Sequence, residues 1–130
     1  MKAHILSIAL LLIFTACNKD NCNDTACTEE FRSVTVSIVD QEDDPVMLDR
    51  TESTLDDGTV LDVDSSLIPG FEDTYVIADD SHFDILSEGN NIVIFKGWVG
   101  QNQVVEQQFI ISKDCCHIDK QDGPEEIVVD

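Results

Sequence analysis

Positive charge is what this chain has least of. Seven Lys and Arg stand against 27 Asp and Glu, a formal net charge of −20. A surface of that sign repels phosphate backbones and anionic headgroups, which excludes nucleic acid and anionic lipid as ligands. Long apolar runs are missing too. The longest, Ile5 to Phe14, falls well short of the roughly 20 residues that a bilayer-crossing helix needs. No Gly-x-Ser-x-Gly elbow, His-Glu-x-x-His pair or phosphate-binding glycine loop occurs. Beyond the N-terminal leader only His82 and His117 offer imidazole, and the many carboxylates pair by chance alone, so no enzyme activity is expected. No internal period is found, which argues against a repeat architecture.

What is present begins with the leader. Met1-Lys2-Ala3-His4 is a basic start, Ile5 to Phe14 is apolar except for Ser7, and the small pair Thr15-Ala16 precedes Cys17. This is the pattern of a bacterial lipoprotein signal over residues 1–16, with cleavage before Cys17 and lipid on its thiol and new amino group. Phe14-Thr15-Ala16 is a poor Ala-x-Ala site, which disfavours a freely secreted product. Each buried CH₂ of an acyl chain contributes about 0.8 kcal/mol, so two or three chains hold such a protein firmly to a membrane. Cleavage removes only Lys2 among the charged side chains, leaving the mature chain one unit more negative. Asn18-Lys19-Asp20-Asn21 resembles the short Lys-Asp export signal of Bacteroidota surface lipoproteins, which implies an outer-membrane anchor with display on the cell surface.

Four cysteines remain once Cys17 is lipidated: Cys22, Cys27, Cys115 and Cys116. In an exported domain an even set reads as disulfides, and four allow three connectivities. A Cys115–Cys116 bridge closes a strained ring with poor geometry. The other two schemes both join the N-terminal pair to the C-terminal pair, either Cys22 with Cys115 and Cys27 with Cys116, or with partners exchanged. Each link closes a loop of about 90 residues, on the order of 4 kcal/mol in the chain-entropy treatment. Zinc held by Cys115-Cys116-His117 is disfavoured, because consecutive strand side chains point to opposite faces.

From Phe31 the pattern becomes that of strands. Val34, Val36 and Ile38 alternate with Thr35, Ser37 and Val39. Turn signals at Asp40 to Pro45, Asp56-Asp57-Gly58, Ile68-Pro69-Gly70, Gly100-Gln101-Asn102 and Gly123-Pro124 separate further runs. Strands are expected to begin at Val46-Met47-Leu48, to cover Thr59 to Val63 and Tyr75-Val76-Ile77, and to include the hairpin of Asn90 onward with Val104 to Ser112. The last strand is expected from Cys115 to about Lys120. One short helix is predicted over Asp80 to Gly89, capped by Ser81, with Phe83, Ile85 and Leu86 inward. Strands at this spacing indicate an all-β sandwich of about seven strands. The predicted organisation is a tether over 17–30, a sandwich over 31–122 and a C-terminal tail over 123–130.

The run Ser33 to Asp40, its acidic turn and Pro45-Val46 resemble the opening of carboxypeptidase-regulatory-like domains. Cys27 to Arg32, taken with Asp114-Cys115-Cys116-His117 and Gly123-Pro124, is similar to a group of small Bacteroidota lipoproteins. The resemblance implies an immunoglobulin-like or transthyretin-like sandwich in which the acidic turn and Pro45-Val46 form the first hairpin. It also implies a non-catalytic accessory. The family's usual Gly in that turn is replaced here by Asp43-Asp44.

Two acidic turns are the calcium candidates: Asp40, Glu42, Asp43 and Asp44 in one, Asp56 and Asp57 with Asp62 and Asp64 in the other. Oxygen ligands in loops suit that ion, though neither turn has the spacing of a dedicated calcium loop. No other cofactor is expected. Trp98 and Tyr75 are the aromatic candidates for a sugar platform, with Trp98 more naturally placed in hairpin packing. Two functional readings follow: a surface binding or accessory module, with a glycan or protein ligand, and an envelope-maintenance lipoprotein that binds another envelope protein. An exposed aromatic cluster would favour the first, and a long unpaired strand edge the second.

Overall fold

The computed structural model describes residues 22–63, 71 and 73–130, and the lipobox with Cys17 lies outside them. Among the described residues eight strands form two sheets: β1 (Ser33–Val39), β2 (Arg50–Leu55), β3 (Val60–Leu61), β4 (Thr74–Asp79), β5 (Gly89–Val99), β6 (Asn102–Lys113), β7 (Ile118–Asp122) and β8 (Glu126–Val128). One sheet has the order β4-β1-β8, the other β3-β2-β5-β6-β7.

Alternation along the strands builds the core. Val34, Val36 and Ile38 of β1 and Tyr75 and Ile77 of β4 meet Val93 and Phe95 of β5 and Val105, Phe109 and Ile111 of β6. Ile92, Ile94, Lys96 and Trp98 take the opposite face of β5 and are half-buried. Trp98 lies there with the Arg50 guanidinium stacked 3.7 Å from its ring centre.

Several predicted elements are redrawn. Val46 to Leu48 forms no strand. The Tyr75 hydroxyl donates to the Val46 carbonyl at 2.9 Å and accepts from the Leu48 N–H at 2.7 Å, taking the place of a ladder. The predicted helix over Asp80 to Gly89 is a 3-10 turn of three residues, Asp80–His82, capped by Asp79 rather than Ser81. Two reasons are visible. A two-turn helix is marginal on its own, and Gly89 and Asn90 instead pair with Lys113 and Ser112 at the start of β5. His82 is buried in place of Ile85, with its Nε2 3.2 Å from the Asp62 carbonyl.

Residues 123–130 belong to the sandwich and are not a loose tail. Gly123-Pro124 ends β7 in one sheet, and β8 then joins the other, parallel to β1 over Ser37, Ile38 and Val39. Val129 follows it into the core. The chain thus changes sheets within a few residues, and that switch leaves a gap along one side of the sandwich. At the acidic turn, Asp43 occupies the left-handed region (φ 64°), a conformation that Asp tolerates through its short polar side chain.

Candidate functional site

The two disulfides gather one end of the molecule. Cys22 bonds Cys115 and Cys27 bonds Cys116, each with Cα atoms 5.3 Å apart, which decides between the two open schemes. The adjacent cysteines reach two partners because Asp114 shapes the bend that carries them. Its Oδ1 accepts the N–H groups of Cys116 at 2.7 Å and His117 at 2.8 Å.

His117 then turns inward and is buried. Its Nδ1 lies 2.7 Å from Asp80 Oδ2, and its Nε2 lies 3.2 Å from the hydroxyl of Thr28. Asp80 also accepts the N–H of Arg32 at 2.8 Å and of Ile118 at 2.9 Å. One carboxylate therefore ties together the entry to β1, the 3-10 turn and the start of β7. Burial opposes ionisation of Asp80, but the Ile118 and Arg32 N–H groups, with His117, outweigh it and hold the carboxyl below the usual range. The Cys116 and His117 N–H groups do the same for Asp114. With Asp80 ionised, Nδ1 carries the hydrogen and donates to it.

The order Asp80–His117–Thr28 is that of an acid–imidazole–hydroxyl relay. Around it, however, the N–H groups of Cys116 and His117 already donate to Asp114, and those of Arg32 and Ile118 to Asp80. Those four N–H groups are thus committed to carboxylates and not to a developing oxyanion. In this geometry the relay acts as a brace for the cystine end.

That brace has a pH signature. A carboxyl whose folded pKa is depressed contributes stability that is complete above its unfolded pKa and is lost as pH falls through the folded value. Asp80 and Asp114 both act in that direction, so the urea midpoint should fall as pH drops below about 4. Asp80→Asn should cost about 2 kcal/mol at neutral pH and flatten that acid limb. A parent protein equally stable on both sides of the window would count against the brace.

Beside the brace lies an open cleft of about 340 Å³, lined by Glu30 to Thr35, Ile118 to Lys120 and Glu125. Its two rims are strand edges from different sheets. On the β1 rim, β8 pairs only from Ser37 onward, leaving Ser33 to Val36 without a ladder partner on that side among the described residues. On the other rim, β7 is, among the described residues, the last strand of its sheet and ladders with β6 alone; its first N–H, that of Ile118, is taken by Asp80, and its open edge begins after it. Val34 and Ile118 are buried at its base, and Phe31 stands beside it 64 % exposed. Arg32 pairs with Glu30 at 3.3 Å, and Lys120 pairs with Glu125.

The acidic turns are organised by their own backbones. Asp40 Oδ1 accepts the N–H groups of Glu42 at 2.8 Å and Asp44 at 3.0 Å. Asp57 Oδ1 accepts the Thr59 N–H at 2.8 Å, and that hydrogen bond lowers its pKa. Among the described residues, Glu42, Asp43, Asp44 and Asp56 join no group of three or more His, Cys, Asp or Glu side chains placed to hold a metal ion. No helix among the described residues is long and apolar enough to cross a membrane.

Neither the cleft nor the relay was among the sequence candidates. Thr28, Asp80 and His117 are far apart in the chain and follow no spacing rule. The one local hint is Asp114, placed to cap the Cys-Cys-His turn. Comparison with known families, curated proteins and solved structures finds no match to this chain.

Proposed function

We propose that the chain is a lipid-anchored protein of the outer cell surface, whose doubly stitched sandwich is a non-catalytic binding module for a segment of another envelope protein. The observation that carries this reading is the cleft with an unpaired strand edge on each rim, since such edges recruit extended chain by main-chain pairing. The aromatic alternative has less support, because Trp98 lies beneath Arg50 and, among the described residues, gathers no exposed aromatic cluster. Anchoring at Cys17 serves the same role by holding a weak binder at high local concentration near its partner.

Two measurements test it. Labelled palmitate should be incorporated by the parent chain and lost in Cys17→Ala. A photo-cross-linking residue placed at Phe31 should capture one envelope protein in intact cells, whereas the same residue at Val60, on the short strand β3, should not. Equal capture at both positions, or lipid labelling that survives Cys17→Ala, would overturn the reading.

A further inference from the structure

Resting on that reading, we infer that β7 takes up an extended basic strand, with Lys or Arg at alternate positions over Asp119 and Asp122 and apolar side chains between them turned into the cleft.

Register supplies the alternation. Ile118 faces the core, while Asp119, opposite Ser112, and Asp122, opposite Ile110, share the exposed face because the register shift at Ile110/Ile111 makes Gln121 an extra, bulged residue between them. An added strand repeats the pleat of its neighbour, so its residues alternate between the cleft and the solvent face. On the cleft side they meet an apolar base of Val34 and Ile118 and the exposed ring of Phe31. On the solvent side they meet carboxylates, and opposite charges across a strand pair stabilise whereas like charges destabilise.

Charge also selects the occupant. Glu125 and Glu126 follow at the bend and the start of β8, and the whole chain carries −20. A second copy would set acidic edge against acidic edge, and an acidic peptide would meet the same repulsion. The two cations that line the cleft, Arg32 and Lys120, are already paired with Glu30 and Glu125. A basic extended segment is the chemistry that satisfies both the open ladder and the field around it.

The test uses the disulfide-intact chain and a synthetic ten-residue peptide of alternating Lys and Val. It is compared with a Glu and Val counterpart, and with the Lys and Val peptide N-methylated at every second amide along one edge. Fluorescence polarisation gives affinity, and amide shifts locate the contact. The expected result is binding of the Lys peptide alone, shifts centred on Ile118 to Asp122, and at least about a tenfold loss on N-methylation. A loss of similar size is expected in Asp119→Lys/Asp122→Lys, whose changes lie on the exposed face, and between about 50 and about 500 mM salt. Shifts scattered over the acidic surface, or N-methylation without effect, would reduce the contact to charge attraction and overturn the inference. If the Phe31 cross-link captures a protein while the Lys peptide fails, the basic strand is wrong and the binding module stands. If both fail, both are wrong.

Discussion

Replacing Cys27 and Cys116 together by serine should cost about 2.5 kcal/mol, and replacing all four bridging cysteines should cost about 7, far more than twice the single loss. The asymmetry follows from nesting. The sequence separations are 93 and 89 residues, so either bridge alone closes nearly the whole domain. Once one exists, the second closes only the small ring of Cys22 to Cys27 with Cys115 and Cys116, about eight residues. On the loop-entropy relation a ring of that size is worth about 2.5 kcal/mol, and the long loop about 4.6. Either pair is therefore individually dispensable, and removing both approaches the whole stability of a small domain. The exposed positions of Cys22 and Cys27 leave little packing loss to confuse the comparison. Urea midpoints of the two paired variants and the quadruple variant measure it. Additive losses of about 4 kcal/mol per bridge would show that the links restrain separate loops and would refute the nested account.

The same covalent pattern shows where sequence reasoning succeeds and where it stops. Strong period-two runs were readable: Val34, Val36 and Ile38 face the core as expected, and Gly100 marks the turn between β5 and β6. That all four cysteines join the two ends of the domain was legible, but the choice of partners was not. It depends on how Asp114 splays consecutive side chains, a matter of turn geometry rather than spacing. The helix expected over Asp80 to Gly89 failed because tertiary pairing of Gly89 with Lys113 outweighs weak local helix preference. β8 was concealed for a related reason. Gly123-Pro124 reads as a break, and parallel pairing with β1, some ninety residues earlier, leaves no local mark. The cleft is a product of that same switch: β7 and β8 divide between two sheets, and the gap they leave is where β1 loses its partner. Residues that define it lie at opposite ends of the chain, so no window of sequence contains it.

The switch rests on one position. Gly123 has φ of 124°, which side chains rarely adopt, and a Cβ built there would lie 2.2 Å from Cδ1 of Phe109. Phe109 is fully buried in the core, so its ring can give way only by displacing packed neighbours. Gly123→Ala therefore combines backbone strain with overpacking, each about 1–3 kcal/mol, for an expected loss of about 4. Gly58 separates the two effects. It also has positive φ, 89°, but nothing lies within 4 Å of its would-be Cβ. Gly58→Ala should therefore show the backbone cost alone, about 1–2 kcal/mol. If the difference is the Phe109 clash, then Phe109→Leu, which removes the offending ring edge, should recover part of the Gly123→Ala loss in a double-mutant cycle. It should recover nothing of the Gly58→Ala loss. Because β8 hangs on this bend, the Gly123→Ala protein should also lose amide protection first at Ile127 to Val129, before β5 and β6 are affected. Equal costs at the two glycines would mean that the core yields to the new methyl group, and that the bend from β7 into β8 is not held by Phe109.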